Sequence, residues 1–415
     1  MDIRNSEMRE HFNEKIADII PIVGHYDATT LITKNADLIQ IIKIQGFIQK
    51  ELSDSDKILR DEVRKAIKTY VEGSDISIYL HVVRDYDSIM PRPYEGSEKI
   101  VKLVESAWCK KHSWNRQLTN TLYITIMKQG PKIRVLDITD FLISIFPPAL
   151  KQKYNKHFQK SAKALTEVTE NIKNCLAAFS SKILSVIKEG EKFYSEPLSF
   201  YYYLTHLRKE RVKLDRCDFA ELLSDFQLSA GFNTLSLRYN KTTEHVAIYV
   251  VELANELEVE MLDAILQCNS RLIISEFLTF VSTKQALVKI QKYKDILKSI
   301  KSTDMAKKLH INEVMDFDKG VLNSFCSSQI NVIVYSDGYD DLKEKVEGIS
   351  EKFNTLGLKA VREDLNLQTA FFSNLPGNTF YNNRANYLPT LHAAAFSMIH
   401  SKKWAIIMEV GGVYR

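Results

Sequence analysis

Ile330-Asn331-Val332-Ile333-Val334-Tyr335 is a β-branched apolar run, followed by Tyr339–Phe353 and then Leu358–Arg362. The spacing reads as strand, helix, strand. Upstream, Phe232–Tyr239 and His245–Glu252 flank Asn240-Lys241-Thr242 and predict a hairpin. A helix near Met261–Cys268 and a strand at Leu272–Phe280 follow. Between that strand and Ile330 lies a helical excursion with Ala286, Ile290, Tyr293, Leu297 and Ile300 as its seam, and a return helix near Ile311–Phe325. Without the excursion the order is βαββαβ, the order of a ferredoxin-like fold.

Two further regions precede it. Near the N-terminus, Ala28–Lys34 and Leu38–Gln45 form an apolar hairpin around Asn35-Ala36-Asp37, ended by Gly46. Ser53 and Asp56 open a helix carrying Leu59, Val63, Ala66, Ile67 and Tyr70, which Gly73 closes. Ile76, Ile78, Leu80 and Val82 alternate as a strand with one buried face. A helix over Ser97–Cys109 and a strand over Leu122–Met127 complete a small unit. In the middle, Leu165, Val168, Ile172, Leu176, Phe179, Ile183 and Val186 keep three-and-four spacing, as one long helix would. Pro197 starts another helix, with Leu198, Tyr201, Leu204 and the basic end Arg208-Lys209. Such stripes serve either a partner helix or packing within their own hairpin.

The expected class is α+β. A small N-terminal α/β domain spans 1–149, a helical middle segment 150–228, and a ferredoxin-like domain 229–365 with a helical-hairpin insertion at about 283–326. Residues 366–415 form a turn and linker.

Composition removes several function classes. The 415 residues carry 56 Lys and Arg against 52 Asp and Glu, a formal net charge of +4, with 45% hydrophobic residues; a predominantly disordered chain is excluded. The 14 glycines are about half the usual ~7% share, and none precedes a lysine, so no Walker A loop exists. Cys109, Cys175, Cys217, Cys268 and Cys326 are dispersed, which argues for a reducing compartment and against a disulfide framework or structural zinc. Met1–Ala17 has no apolar signal core, and Pro147 and Pro148 interrupt Phe141–Leu150, the longest apolar stretch. Cytosolic residence, or peripheral attachment to a membrane, is expected.

No catalytic constellation stands out, and no metal set. His392 and His400 are eight residues apart, too far for a pair on one helix face. Glu363 and Asp364 are adjacent on a strand and so face opposite ways, which disfavours an acid–base pair. Two basic stretches remain. Lys151, Lys153, Lys156, Lys160 and Lys163 form the first; Lys284, Lys289, Lys292, Lys294 and Lys298 belong to the second. Each is either a docking patch for anionic lipid or nucleic acid, or a solvated helix face. Leu375-Pro376-Gly377-Asn378 predicts a type II turn in which Asn378 caps neighbouring amides. Arg384 follows, suited to a carboxylate or phosphate.

Leu356–Leu365 (Leu-Gly-Leu-Lys-Ala-Val-Arg-Glu-Asp-Leu), Ala370-Phe371-Phe372, Leu375-Pro376-Gly377-Asn378 and Arg384 together resemble the CagE/TrbE/VirB family of type IV secretion and conjugation ATPases. The opening hairpin, Ser195–Leu207 and Leu272–Phe280 extend the likeness over nearly the whole chain, matching the family's N-terminal half. The resemblance implies a ring-forming machine at the cytoplasmic face of the bacterial inner membrane, contacting other channel subunits and moving protein or DNA. It also implies that ATP and Mg²⁺ are handled by a C-terminal P-loop domain, whose Walker A motif this sequence does not contain. By that comparison the chain is expected to be non-catalytic on its own, with 366–415 leading toward the motor. Arg384 would then either touch the motor half or form a salt bridge that pins its loop. A nucleic-acid module guiding single-stranded DNA along the basic helices is the alternative.

Overall fold

A computed structural model describes residues 15–44, 65–71 in part, 75–88, 116–130, 148–179, 181–214, 219–251, 265–281 in part, 288 and 325–389. The first set of strands is β1 Ile22–His25, β2 Leu31–Thr33, β3 Leu38–Ile44, β4 Ile76–Ser88, β5 Arg116–Lys128 and β6 Ser181–Ile183. A small separate sheet holds β7 Val186–Glu189, β8 Lys192–Ser195 and β9 Val212–Lys213. The second set is β10 Gln227–Ala230, β11 Leu235–Tyr239, β12 Thr242–Val251, β13 Arg271–Val281, β14 Phe325–Ser336, β15 Ala360–Arg362 and β16 Asn386–Pro389. Helices are α1 Ile16–Ile19, α2 Pro148–Cys175, α3 Glu196–His206, α4 Phe219–Leu223, α5 Tyr339–Thr355 and α6 Leu367–Phe372.

The two sets join in one 13-stranded antiparallel sheet, ordered β1-β2-β3-β5-β4-β13-β14-β12-β11-β10, with β6 beside β3, β15 beside β12 and β16 beside β14. Its halves repeat each other. Numbering the strands of each unit in chain order, β6-β3-β5-β4 and β15-β12-β14-β13 both stand as 4-1-3-2. The register repeats too. Ile44 faces Leu122 and Ser181 in the first half; Val251 faces Ile330 and Ala360 in the second. Leu122 also faces Val82, and Ile330 faces Glu276. His81 and Ser275, the residues just before that corresponding pair, face each other where β4 meets β13. The halves are therefore related by a local twofold through this point.

Side chains alternate across a strand, so a sheet covered on both faces needs apolar residues at nearly every position. On one face Leu80, Ile124, Val332 and Val334 pack with Phe158, Leu165 and Ile172 of α2 and Leu342, Val346 and Ile349 of α5. On the other, Ile39, Val83, Met127, Ile273 and Ile333 pack with α3, α6 and Leu375. Each such buried aliphatic side chain contributes roughly 1.5–3 kcal/mol. β4 consequently differs from the one-faced strand expected, because Tyr79, His81 and Val83 are as buried as Ile78 and Leu80.

The middle segment also differs from the single helix expected. α2 stops at Cys175, a short 3-10 turn carries Phe179, and Ile183 and Val186 lie in β6 and β7. Ile183 is drawn to the edge of β3, opposite Ile42. A strand of three residues is too short to display alternation against a heptad background. α3 is capped by Ser195, whose Oγ accepts from Leu198 N at 3.0 Å, and ends at Leu207 in the left-handed region, φ +56°. Arg208-Lys209 therefore lies beyond the helix. The strand expected at Ile330 begins earlier, at Phe325, which the sequence reading placed in the helical return. The rest of the 283–326 insertion, the Ser97–Cys109 helix and most of the 53–70 and 261–268 helices lie outside the described residues.

Candidate functional site

The Leu375–Asn378 turn is buried where both halves of the sheet, α3 and α6 converge. Asn378 N donates to the Leu375 carbonyl at 3.0 Å, and Gly377 adopts φ +104°, a region only glycine enters freely. A Cβ on Gly377 would stand 2.9 Å from Pro21 Cβ and 3.2 Å from Thr33 Cγ2. Tyr201 Oη donates to the Pro376 carbonyl at 2.8 Å. Asn378 caps carbonyls rather than the amides expected: its Nδ2 donates to Ile19 O at 3.2 Å and Phe372 O at 3.0 Å. The turn is thus a tie from the end of the second half back to the first.

Its flanks reach the sheet's central polar residues. His81, at the local twofold, has Nε2 2.8 Å from the Asn374 carbonyl. Burial pushes its imidazole down to about 4. Asn331 Nδ2 donates to Ser373 Oγ at 2.9 Å, and Gln329 Oε1 accepts from Arg384 N at 3.0 Å. Glu276, on the opposite face of β13, is wholly buried; burial pushes its carboxyl up to about 8, with Ser328 Oγ 3.4 Å from it.

Arg384 forms the salt bridge that pins its loop. Its Nε pairs with Glu363 Oε1, and Nη2 donates to Oε2 at 3.2 Å, a two-pronged contact. The Glu363 side chain is 1% exposed and that of Arg384 42%. Asp364 is exposed; β15 ends at Arg362, so this pair lies in the bend that follows rather than on the strand expected.

A second ionic cluster crosses between the halves. Arg271 of β13 donates through Nε to Asp85 Oδ1 of β4 at 3.1 Å, through Nη1 to Glu244 Oε2 at 3.1 Å, and through Nη2 to Leu207 O at 3.1 Å. Its guanidinium lies 4.4 Å from the centre of the Tyr335 ring. Beside this cluster a cavity of about 460 Å³ opens between β3, β5, α3 and the small sheet. Its wall combines Tyr123 and Phe200, stacked at 4.3 Å, with Lys43, Thr119 and Thr121.

Of the basic residues, Lys156, Lys160 and Lys163 are exposed on α2, and Lys151 and Lys153 lie in its first turns. Lys284, Lys289, Lys292, Lys294 and Lys298 lie outside the described residues, as do His392 and His400. Of the described lysine side chains, Lys156, Lys160 and Lys163 lie on α2, away from the Leu375–Arg384 segment. Glu363 as the partner of Arg384, Tyr201, His81 and the cavity were not found by sequence reasoning. Only Glu363 left a signal, a carboxylate directly after the Leu358–Arg362 strand and within reach of the loop that carries Arg384. Among the described residues, no group of three or more His, Cys, Asp and Glu side chains is placed to hold a metal, and no helix is long and apolar enough to cross a membrane.

Comparison with known proteins points one way. Residues 182–384 match the model of the CagE, TrbE, VirB family, component of type IV transporter system. The type IV secretion system protein virB4 of Bartonella henselae is 21% identical over 389 residues, covering 92% of this chain and 49% of its own length. That of Brucella abortus is 19% identical over 94% of this chain and 47% of its own. The type IV secretion system protein PtlC of Bordetella pertussis is 20% identical, again over 94% and 47%. The chain thus spans about half the length of the curated relatives it matches, and the matched region contains both the buried turn and the Arg384–Glu363 pair. Residues 182–384 are thus a CagE/TrbE/VirB-family segment, within a chain that is similar over 92–94% of its length to type IV secretion system proteins.

Proposed function

We propose that this chain is an assembly module of a type IV secretion machine, acting at the cytoplasmic face of a bacterial inner membrane and gripping other channel subunits. The observation that carries this is similarity over 92–94% of the chain to proteins named for type IV secretion. The role itself is non-catalytic in this reading. Tyr201, Asn378 and Arg384, the polar groups around the family turn, are all engaged by the chain's own atoms. ATP and Mg²⁺ are assigned to the additional length of the relatives, since no glycine here is followed by lysine. The repeated 4-1-3-2 strand order supports a ferredoxin-like unit in each half. Homo-oligomers and a protein or DNA cargo belong to the full machine.

Affinity purification of the tagged chain from its own host, in detergent, is expected to recover other secretion subunits. Recovery of none, or ATP turnover by the purified chain above that of a mock preparation, overturns the reading. One observation favours a nucleic-acid role instead: Lys156, Lys160 and Lys163 share one exposed face of α2. Single-stranded DNA binding that falls steeply from low to physiological salt would select it.

A further inference from the structure

The local twofold relates two helices of opposite charge. α2 lies over β3 and β5, and α5 over the corresponding β12 and β14, on the same face of the sheet. Their patterns match position for position. Phe158, Ala162, Leu165 and Thr169 of α2 are buried, as are Leu342, Val346, Ile349 and Phe353 of α5 at the same spacing. Two residues before each of these, the chain points outward. On α2 those positions hold Lys156, Lys160 and Lys163, then Glu167; on α5 they hold Asp340, Glu344 and Glu347, then Glu351, and all are exposed. No carboxylate precedes Glu167 on α2. Over its whole length α2 carries six lysines against two glutamates, whereas α5 carries five carboxylates against three lysines, one of which, Lys345, is held by Asp341.

Helices related by this axis run antiparallel, and their seats are four strand spacings apart, about 19 Å at ~4.8 Å per strand. The two outward stripes are complementary in sign, yet they do not meet within one chain. We propose that a second copy of this chain docks face to face on this side of the sheet, α2 of each copy against α5 of the other. A dimer axis parallel to the helices exchanges the two seats, so both contacts form together and the assembly closes at two copies. An anionic membrane suits this face poorly, because a plane that reached α2 would also meet the acidic stripe of α5. Nucleic acid would use α2 and leave α5 without a role; a second copy uses both. Exposed ion pairs are weak singly and screened by salt, so the two stripes act as a set and the dimer loosens as salt rises. The pairing goes beyond the assembly role proposed above and stands without it.

Sedimentation velocity of the whole chain at tens of micromolar tests it. A dimer is expected at low ionic strength, with a dissociation constant that rises at least about tenfold between about 20 mM and about 300 mM salt. Lys156→Glu, Lys160→Glu and Lys163→Glu together should leave the chain monomeric, and so should Asp340→Lys, Glu344→Lys and Glu347→Lys together. Mixing the two variants exchanges the signs of both contacts, so a heterodimer about as tight as the original dimer is expected, a result that misfolding could not produce. Should a triple change unfold the chain, Lys160→Glu mixed with Glu344→Lys gives the same reading. A monomer at low salt overturns the proposal, as does a dimer that survives either change or folded variants that fail to pair on mixing. Assembly beyond two copies overturns the face-to-face arrangement. Binding of single-stranded DNA or anionic vesicles that the lysine variant loses, with no dimer at low salt, assigns α2 to those ligands and overturns it too. Failed recovery of secretion subunits beside an intact, salt-sensitive dimer would count against the secretion role and leave the pairing standing.

Discussion

The first half of the sheet and the second share strand order and register but not chemistry. At corresponding positions the first half places Val82 and the second Glu276, the first His81 and the second Ser275. The second adds β16 along β14 and ties itself down through the buried turn. The match to the family model runs from residue 182 to 384, so it covers α3 and the second half as far as Arg384, short of β16. A sheet ladder is defined by backbone groups that every residue carries, so it repeats while side chains diverge. What differs between the halves is where specific function can reside.

Breaking the tie should show the largest effect. Gly377→Ala forces a side chain into the left-handed region and against Pro21, and is expected to cost about 3–5 kcal/mol in denaturant unfolding. A loss under about 1 kcal/mol would show that the turn does not hold the halves together.

Neutralising Glu276, which stands where the first half has Val82, should stabilise. Glu276 has an ordinary value of 4.5 and is pushed by burial up to about 8. Between those values the folded chain holds a proton that the unfolded chain has released, so stability falls as pH rises from about 4.5 to about 8. Glu276→Gln removes that slope and should raise stability at pH 8 by on the order of 2–4 kcal/mol, with little change near pH 4. Urea titrations at both pH values check it.

Arg384→Ala leaves the buried Glu363 carboxylate without its guanidinium, and about 2 kcal/mol is the expected loss, tempered by the solvent that reaches Arg384. Arg384→Lys keeps charge but loses the fork, for about 1 kcal/mol. In a full-length relative, unchanged stability with altered turnover would assign the arginine to the motor instead.

The smallest effect sits on the local axis. His81 is lowered from 6.5 to about 4 by burial, so the unfolded chain takes up a proton first and stability is lost as pH falls from 6.5 toward 4. His81→Gln should reduce that acid loss by about 1–2 kcal/mol. It should not abolish it, because His206, buried against Tyr202, is lowered to about 4 as well. Complete loss of the acid slope in the variant would show that His206 does not share it.

Much of the strand content was legible because β-branched runs such as Ile330–Tyr335 and Leu38–Ile44 announce themselves locally. β6 was not, because three residues beside β3 gain their strand identity from the partner rather than from their own pattern. The buried turn was legible as a turn, since Pro376 and Gly377 limit the backbone; its partners Pro21, Thr33 and Tyr201 are far off in the chain, Tyr201 at 175 residues being the nearest, and left no local trace. The second face of β4 was missed for the same reason, as Tyr79 and His81 look solvated until α3 and Asn374 cover them.

Sequence alone determined the α+β class, the absence of a Walker A loop and the run of residues that marks the family, because these depend on residue identity and short spacing. Tertiary structure decided that two repeated units share one sheet and that Arg384 is held by Glu363. Those outcomes depend on which distant backbone groups find partners, and that is settled only when the whole ladder closes.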